Sequence, residues 1–248
     1  MKPLLTVLVS LLAVGARADD MQKYLADTQA LVRNGKHAEA LERFQWFHAH
    51  ALEHEPGMAG VRLSFALMYW KELGDDYPPA RAALIELRDR TVSQVLETGG
   101  TFELFHDASA LNRTFAEEGE TVELFAAIDE SHPELAKKYW LIAQEPVLAA
   151  KRFDLAAKYL GDPAKDFARI KTMYEENAKH YDDPKFGGVR FKRFNEDYFV
   201  RKTEQLLAVT TALGKLDIAA EIQRQAIEVL DDPRLRKSIS QTPAAKTE

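Results

Sequence analysis

Cysteine is absent from the 248-residue chain. Disulfide bonds, thiolate metal sites, cysteine nucleophiles and a lipidated N-terminal cysteine are therefore excluded. Glycine and proline are scarce, with 12 and 10 residues, which argues against a loop-rich or all-β fold. The sequence also contains no phosphate-binding glycine loop, no nucleophile elbow and no helical zinc-protease signature. We therefore expect no cofactor, and no motif names a reaction.

What is present is the composition of a soluble globular protein, with 46% apolar and 29% charged residues. The N-terminus differs, because an apolar run over 4–14 is followed by the small-x-small pattern of 16–18. This order predicts a signal peptide over 1–18, cleaved after Ala18, since the run is shorter than the ~20 residues that span a bilayer. Loss of its two basic residues lowers the net charge from −6 to −8. We expect a periplasmic or secreted protein with no transmembrane segment in the mature chain.

Apolar residues recur at helical spacing through the remaining chain, and no alternating stretch is long enough to predict a sheet. The predicted helices cover 20–34, 37–54, 58–73, 78–97, 101–117, 120–130, 133–150, 153–160, 163–181, 193–213 and 215–230. Ser131 and Glu134 are spaced as a capping box, and Asp162 is an N-cap before a first-turn proline. One domain is predicted over 19–232, followed by a disordered polar tail over 233–248.

The predicted helices come in pairs that share a local pattern. After Gly35, the small Ala40 is followed four residues later by the bulky Phe44. In the last pair the small residue is Ala219, and Gln223 stands where the pattern expects a bulky apolar residue. A small residue lets two antiparallel helices approach closely, and glycine tolerates the left-handed turn between them. The pattern therefore predicts antiparallel helical hairpins.

The stretch Gly-x-x-x-Glu-Ala-Leu with a following aromatic, from Gly35, resembles a tetratricopeptide repeat (TPR). The closing Ala-Ile-Glu-Val-Leu-Asp-Asp-Pro, from Ala226, is similar to the family's repeat end, and Trp140 matches the aromatic of its first helix. The candidate turns are at Gly35, Gly74, Gly119, Lys151 and Gly214. They are 39, 45, 32 and 63 residues apart, against about 34 in the family. The chain thus resembles an exported bacterial member of the TPR-like group with decayed repeats and no assigned activity.

This resemblance implies an all-α fold in which antiparallel helical hairpins stack in a right-handed superhelix. It also implies a binding role, because repeat folds of this kind bind partners on the concave surface lined by the first helix of each pair. In that register the residues that face the groove are Ser64, Met68 and Lys71. The family alone implies no particular partner.

One segment departs from the acidic background. Between Pro184 and Lys202 lie six basic and two acidic residues, interleaved with Phe, so this stretch carries a net charge of +4. The candidate contacts for an anionic partner are Lys185, Arg190, Lys192 and Arg193. Such a partner is an acidic protein, a lipid headgroup or an envelope polymer, and nucleic acid is not expected outside the cytoplasm. The alternative is a connection between repeats whose Phe side chains fill the core while the charges pair with neighbouring acidic helices.

Two histidines form the best metal-ligand pattern. His50 and His54 are four residues apart, hence on one helix face, where two imidazoles can reach one cation. A third ligand has to come from elsewhere. The alternative is a polar helix end, where histidine is favoured by the helix dipole. We therefore predict no metal site and keep both residues as weak candidates.

Together these features favour a non-enzymatic scaffold that engages another envelope protein or peptide through its concave surface. The alternative from a different class is an envelope enzyme or metal-binding protein with a site between helices. A third hypothesis is a purely structural subunit bound within a larger envelope complex.

Overall fold

The computed structural model describes residues 20–238 apart from Pro184 and Phe186. Every regular element within these residues is helical and none is a strand, so the predicted all-α class is confirmed. The helices are α1 (Asp20–Arg33), α2 (His37–His54), α3 (Ala59–Arg62), α4 (Phe65–Asp76), α5 (Pro78–Thr98), α6 (Phe102–Thr114), α7 (Glu118–Ser131), α8 (Pro133–Ala149), α9 (Phe153–Tyr159), α10 (Pro163–Ala178), α11 (Val189–Ala212), α12 (Leu216–Val229) and α13 (Pro233–Lys237). In this part of the chain no helix has the length and apolar character needed to cross a bilayer. The predicted signal peptide over 1–18 lies outside the described residues.

Several predicted boundaries need correction. The helix predicted over 58–73 is interrupted, because Ser64 has φ −131° and ψ −89°, which is not helical, and separates α3 from α4. Ser131 is not an N-cap: its hydroxyl donates to the carbonyl oxygen of Ala127 within α7, at 2.7 Å. Asp162 is an N-cap, since its carboxylate accepts the N–H of Ala164 at 2.9 Å. The prediction of this cap is confirmed, and the predicted capping box is wrong.

Four connections between helices share one backbone geometry. Each contains a left-handed residue, with φ values of 73°, 58°, 56° and 72° at Gly35, Ala116, Lys151 and Gly214. In each connection this residue's N–H donates to the carbonyl three residues earlier, and the next N–H donates to the carbonyl five residues earlier. All eight N···O distances lie between 2.9 and 3.1 Å. This is the Schellman arrangement, which satisfies the last carbonyls of the preceding helix.

A small buried residue follows each of these turns at the same distance. The fifth residue after the left-handed one is Ala40, Thr121, Ala156 and Ala219 in turn, and all four are buried. The bulky Phe44 and Phe125, four residues after Ala40 and Thr121 respectively, belong to the core. The turns predicted at Gly74 and Gly119 are wrong. Gly74 lies within α4 and has no left-handed conformation, and Gly119 lies within α7, where the left-handed residue before the helix is Ala116.

The chain continues as a short helix beyond the predicted end of the fold. Asp232 accepts the N–H of Arg234 at 2.8 Å and so caps α13, where Leu235 is fully buried. The side-chain amide of Gln223 donates to the carbonyl oxygen of Leu235 at 2.7 Å. This bond explains the polar residue on α12 at a position where the pattern expects an apolar one. Residues 233–237, which were predicted to belong to a disordered tail, are therefore helical. Residues 239–248 lie outside the described part.

The described residues divide into two compact units, an N-terminal unit that ends at Glu117 and a C-terminal unit that begins at Glu118. The prediction of one domain over 19–232 does not anticipate this division. In the N-terminal unit Phe44 and Trp70 are buried with their rings stacked 6.4 Å apart. The Trp70 indole N–H also donates to the carbonyl oxygen of Ala80 at 3.0 Å, which joins α4 to α5. The core of the C-terminal unit includes Phe125, Tyr139, Phe167 and Phe199.

Replacing Ala219 by leucine tests the close packing of the last helix pair. Ala219 is fully buried, whereas its neighbour Ala220 on α12 is exposed. Ala219→Leu should lower the free energy of unfolding by about 1–3 kcal/mol because it overfills a packed contact. Ala220→Leu is the matched control and should change it by less than about 0.5 kcal/mol. Urea unfolding followed by circular dichroism measures both, and equal effects would contradict the packing role of Ala219.

Candidate functional site

A cleft of about 600 Å³ lies within the C-terminal unit. It is formed by α8, α10 and α11 together with the end of α9. From α8 it takes residues spaced on one helical face, namely Lys137, Trp140, Leu141, Gln144 and Leu148. The volume falls within the range of roughly 300–1,000 Å³ that is typical of ligand sites in proteins.

The cleft exposes apolar side chains to solvent. Leu141 is 67% exposed and Met173 is 40% exposed, although both are large and hydrophobic. Further apolar contacts come from Ile170 on α10 and Leu206 on α11. Single exposed apolar residues are common, but several around one concavity mark a site that a partner or ligand can cover.

Three aromatic rings form one wall of the cleft and the core behind it. Trp140 and Tyr159 are stacked with their centroids 5.6 Å apart, and Phe125 packs against both rings from the core side. Tyr198, on α11, also lines the cleft. Aromatic rings give a binding surface a large contact area with few rotatable bonds, so this wall is well suited to a bulky apolar group.

A buried carboxylate fixes the orientation of Tyr159. The Tyr159 hydroxyl and the Lys158 ammonium group both donate to the carboxylate of Asp129, which is buried in α7. Burial alone would raise the pKa of Asp129, but these two hydrogen bonds together lower it below its usual value. Burial, with the bond to Asp129, raises the pKa of Tyr159, so its hydroxyl keeps its proton at neutral pH. The wall residue is therefore held by a charge-assisted hydrogen bond.

The charged side chains of the cleft are paired with one another or with a neighbour. Lys202 lies 3.4 Å from Glu145, and Arg169 pairs with Asp166 on its own helix. One uncharged polar atom of the cleft has no partner: the side-chain oxygen Oε1 of Gln205 is buried and accepts no hydrogen bond from the described residues. The cleft thus offers mainly apolar surface, with paired charges around it.

The predicted basic residues lie at the start of α11 and just before it. Lys185, Arg190, Lys192 and Arg193 are all exposed. Lys192 lies 3.8 Å from Glu196 on its own helix. Residues 189–194 form the first turns of α11 and are helical. Phe194 is 61% exposed and does not fill the core, whereas Phe191 is half-buried with its ring 6.1 Å from that of Tyr181.

The predicted groove residues lie together on α4 and at its N-cap, in the N-terminal unit, and none of them lines the cleft. Ser64 donates its hydroxyl hydrogen bond to the carbonyl oxygen of Gly60 at 2.6 Å. Lys71 lies 3.4 Å from Asp75, and Met68 is exposed. These three residues therefore form a separate surface from the cleft.

The two candidate metal-ligating histidines lie beside one tryptophan on α2. The ring of His50 stacks on Trp46 at 5.1 Å, and the ring of His54 is tilted at 5.3 Å from the same indole. The Nδ1 atom of His50 is 3.0 Å from the carbonyl oxygen of Trp46. Within the described ranges, no group of three or more histidine, aspartate and glutamate residues is arranged to hold a metal ion.

A buried ion pair in the N-terminal unit joins three helices. The Arg62 guanidinium, on α3, donates to both carboxylate oxygens of Asp107, on α6, and to the carbonyl oxygen of His48, on α2. Burial, helped by the Arg62 charge, lowers the pKa of His48 to about 4, so the imidazole is neutral at pH 7. This bidentate pair ties the end of α3 to the middle of α2 and of α6.

None of the residues that form the cleft was predicted from the sequence as a site residue, and Trp140 was noted only as the aromatic of a repeat's first helix. A partial indication was available, because Leu141 and Leu148 lie on the same helical face as Trp140. Nothing in the local pattern shows that Met173 and Leu206 lie opposite that face. No protein-family model matches the chain, and no curated protein or solved structure is significantly similar to it.

Replacing Asp129 by asparagine tests the support of the cleft wall. At pH 7, Asp129→Asn should lower the free energy of unfolding by about 1–3 kcal/mol, because it removes the charge of a buried carboxylate that accepts two partly buried hydrogen bonds. The folded-state pKa of Asp129 is lowered, so its contribution is present above the unfolded value of about 3.9 and is lost as the pH falls through the folded value. The difference between the two proteins should therefore shrink in acid.

Urea unfolding between neutral pH and pH of about 2 measures this difference. Glu134→Gln is the control, because Glu134 is exposed and its ion pair with Lys137 should contribute less than about 0.5 kcal/mol. A deficit for Asp129→Asn that stays constant over the whole pH range would contradict the electrostatic account.

Proposed function

We propose that this chain is an exported TPR-like scaffold that binds a peptide segment of another envelope protein in the cleft of the C-terminal unit. The observation that carries the proposal is the exposure of Leu141 and Met173 on a concave aromatic surface. A partner that places a bulky apolar side chain there removes this surface from water, which is favourable by about 25 cal/mol per Å². The role is binding and not catalysis.

The repeated turns support the TPR-like part of the proposal. With the turn placed at Ala116, the small residues Thr121 and Ala156 are 35 residues apart, close to the family's period of about 34. The distance from Ala156 to Ala219 is 63 residues, and α10 is the additional helix between these two hairpins. A stacked right-handed superhelix is the arrangement we propose for such repeats.

The location of the cleft fits this repeat register. In the register, α8 and α11 are the first helices of the hairpins that turn at Lys151 and Gly214. The two helices contact each other, and both supply the cleft. First helices line the concave binding surface of repeat folds, so the same surface is the proposed groove.

The chemistry of the cleft favours an apolar anchor over a reacting group. Lys137 pairs with Glu134 at 2.8 Å, and the other charged lining residues are paired as described above. Tyr159 is held by Asp129 with its hydroxyl protonated. These groups stabilise the walls, and the open surface between them is apolar. Export is proposed from the signal-peptide pattern of the first 18 residues.

Capture from an envelope extract, followed by direct titration, tests the proposed function. The immobilised protein is used to recover binding proteins, and synthetic peptides that cover the recovered protein are then titrated by calorimetry. Leu141→Glu should weaken binding of the active peptide by about tenfold or more, because it places a charge at the centre of an apolar contact. Leu141 is exposed, so the variant should fold normally.

Leu216→Glu is the matched control. Leu216 is 58% exposed on α12 in the same unit and does not line the cleft. Its substitution should leave the peptide affinity within about twofold. Equal affinities for Leu141→Glu and the unaltered protein would overturn the proposed binding site.

A further inference from the structure

We propose that the start of α11 is a membrane-contact surface that binds anionic phospholipid headgroups. This surface, the basic face, consists of Lys185, Arg190 and Arg193 with the apolar Val189 and Phe194. It is separate from the cleft, because none of the five residues lines it. The proposal is therefore independent of the peptide-binding function.

Two large apolar side chains are exposed on the basic face. Val189 is 68% exposed and Phe194 is 61% exposed. Both follow the Gly187-Gly188 turn and lie on the first two turns of α11. Apolar side chains that project from a helix among cations can enter the interfacial region of a bilayer while the charges meet the headgroups. A peptide partner would instead need a concavity in which to bury its own side chains.

The cations of the basic face are available for external anions. No ion pair or cation–π contact within the described part of the chain involves the side chains of Lys185, Arg190 or Arg193. Other basic residues of α11 differ, since Arg201 lies 2.8 Å from Glu145 and Lys202 lies 3.4 Å from it. The three available cations therefore keep their full attraction for an anionic surface.

A buried network fixes the helix turn that carries the basic face. The side-chain amide of Asn195 donates to the carbonyl oxygen of Tyr174 at 2.9 Å and to the hydroxyl of Tyr181 at 2.8 Å. Its Oδ1 atom accepts from the amide of Asn177 at 3.0 Å. Asn195 is buried. These bonds join α11 to α10 and to Tyr181, which follows α10. The neighbouring Arg193 and Phe194 are thus presented on an ordered helix.

The distribution of charge complements an anionic bilayer. The stretch from Pro184 to Lys202 carries a net charge of +4, within a chain whose total is −6. An anionic surface attracts this stretch and repels the rest of the chain, so contact is confined to one orientation. Each cation near an anionic bilayer adds to the affinity, and salt weakens the attraction.

Vesicle co-sedimentation tests the proposal with the full chain. The probes are vesicles of phosphatidylcholine alone and vesicles that also contain phosphatidylglycerol, each at low salt and at ~0.15 M salt. We expect binding to the phosphatidylglycerol vesicles, weaker at the higher salt, and little binding to phosphatidylcholine. Arg190→Gln combined with Arg193→Gln should weaken this binding by about tenfold or more. Val189→Ser combined with Phe194→Ser should also weaken it.

Lys138→Gln combined with Lys165→Gln is the matched control. Both lysines are exposed in the same unit, and their substitution changes the net charge by the same amount. All variants are expressed and purified in the same way, so any contribution of the first 18 residues to vesicle binding is the same in each. The control should bind as the unaltered protein does.

Three results would overturn the proposal: no binding to phosphatidylglycerol vesicles, equal binding to both kinds of vesicle, or equal losses in the arginine and lysine variants. Immobilised polyglutamate is run in parallel, and binding to it without binding to vesicles would assign the basic face to an acidic protein. Leu141→Glu should leave vesicle binding unchanged, so failure here is distinguishable from failure of the peptide-binding function.

Discussion

The close approach of paired helices at a small buried residue is the constraint on which the structure depends most. A left-handed turn at Gly35, Lys151 or Gly214 reverses the chain, and five residues later a buried alanine lies in the next helix, which contacts the preceding one. The turn satisfies the last carbonyls of one helix, and the alanine permits the next helix to pack closely against it. Because both features recur at the same separation, these three hairpins are built in the same way, whereas α4 and α5 are joined through the extended Tyr77. The amphipathic helices then need further helices to cover their remaining apolar faces.

The C-terminal unit leaves part of that apolar surface uncovered. Leu141 on α8 and Met173 on α10 stay exposed around a cleft whose aromatic wall is held in place from behind. The support comes from Asp129, a buried carboxylate that is stabilised by hydrogen bonds from Lys158 and Tyr159. An ordered wall beside exposed apolar side chains loses little conformational entropy when a partner binds. This combination is the physical basis for our proposal that the cleft binds a peptide.

The helices were predictable from the sequence to a degree set by local signals. The periodic apolar pattern predicts α2 at its observed bounds, 37–54, and it places α8 and α12 within one residue at each end. The turn at Ala116 could not be predicted, because alanine rarely adopts a left-handed conformation and Gly119 gave a stronger local signal. The position of Gln223 also departs from the repeat pattern, which expects an apolar residue there. Its hydrogen-bond partner is a backbone carbonyl of the following helix, α13, which the local pattern does not reveal.

The cleft could not be predicted from local sequence patterns, for a different reason. Its walls come from helices far apart in the chain, and Leu141 and Leu206 are separated by 65 residues. Exposure of an apolar residue depends on which neighbouring helix fails to cover it, and this is a property of tertiary packing. The basic residues Lys185, Arg190, Lys192 and Arg193 were predicted from the sequence because charge and aromatic content lie in one continuous segment, although the sequence left open whether they contact a partner. The helical conformation of the basic face and the exposure of Phe194 required the structure.

Site-specific photocrosslinking in the native host tests the central claim most directly. A photoreactive amino acid is placed at position 141 or 173 in the cleft, or at the exposed position 96 of the N-terminal unit as a control. We expect positions 141 and 173 to crosslink to the same short segment of one envelope protein, a segment that contains a bulky apolar residue, and we expect no crosslink to it from position 96. Absence of a crosslink from both cleft positions, or the same products from all three positions, would contradict the account.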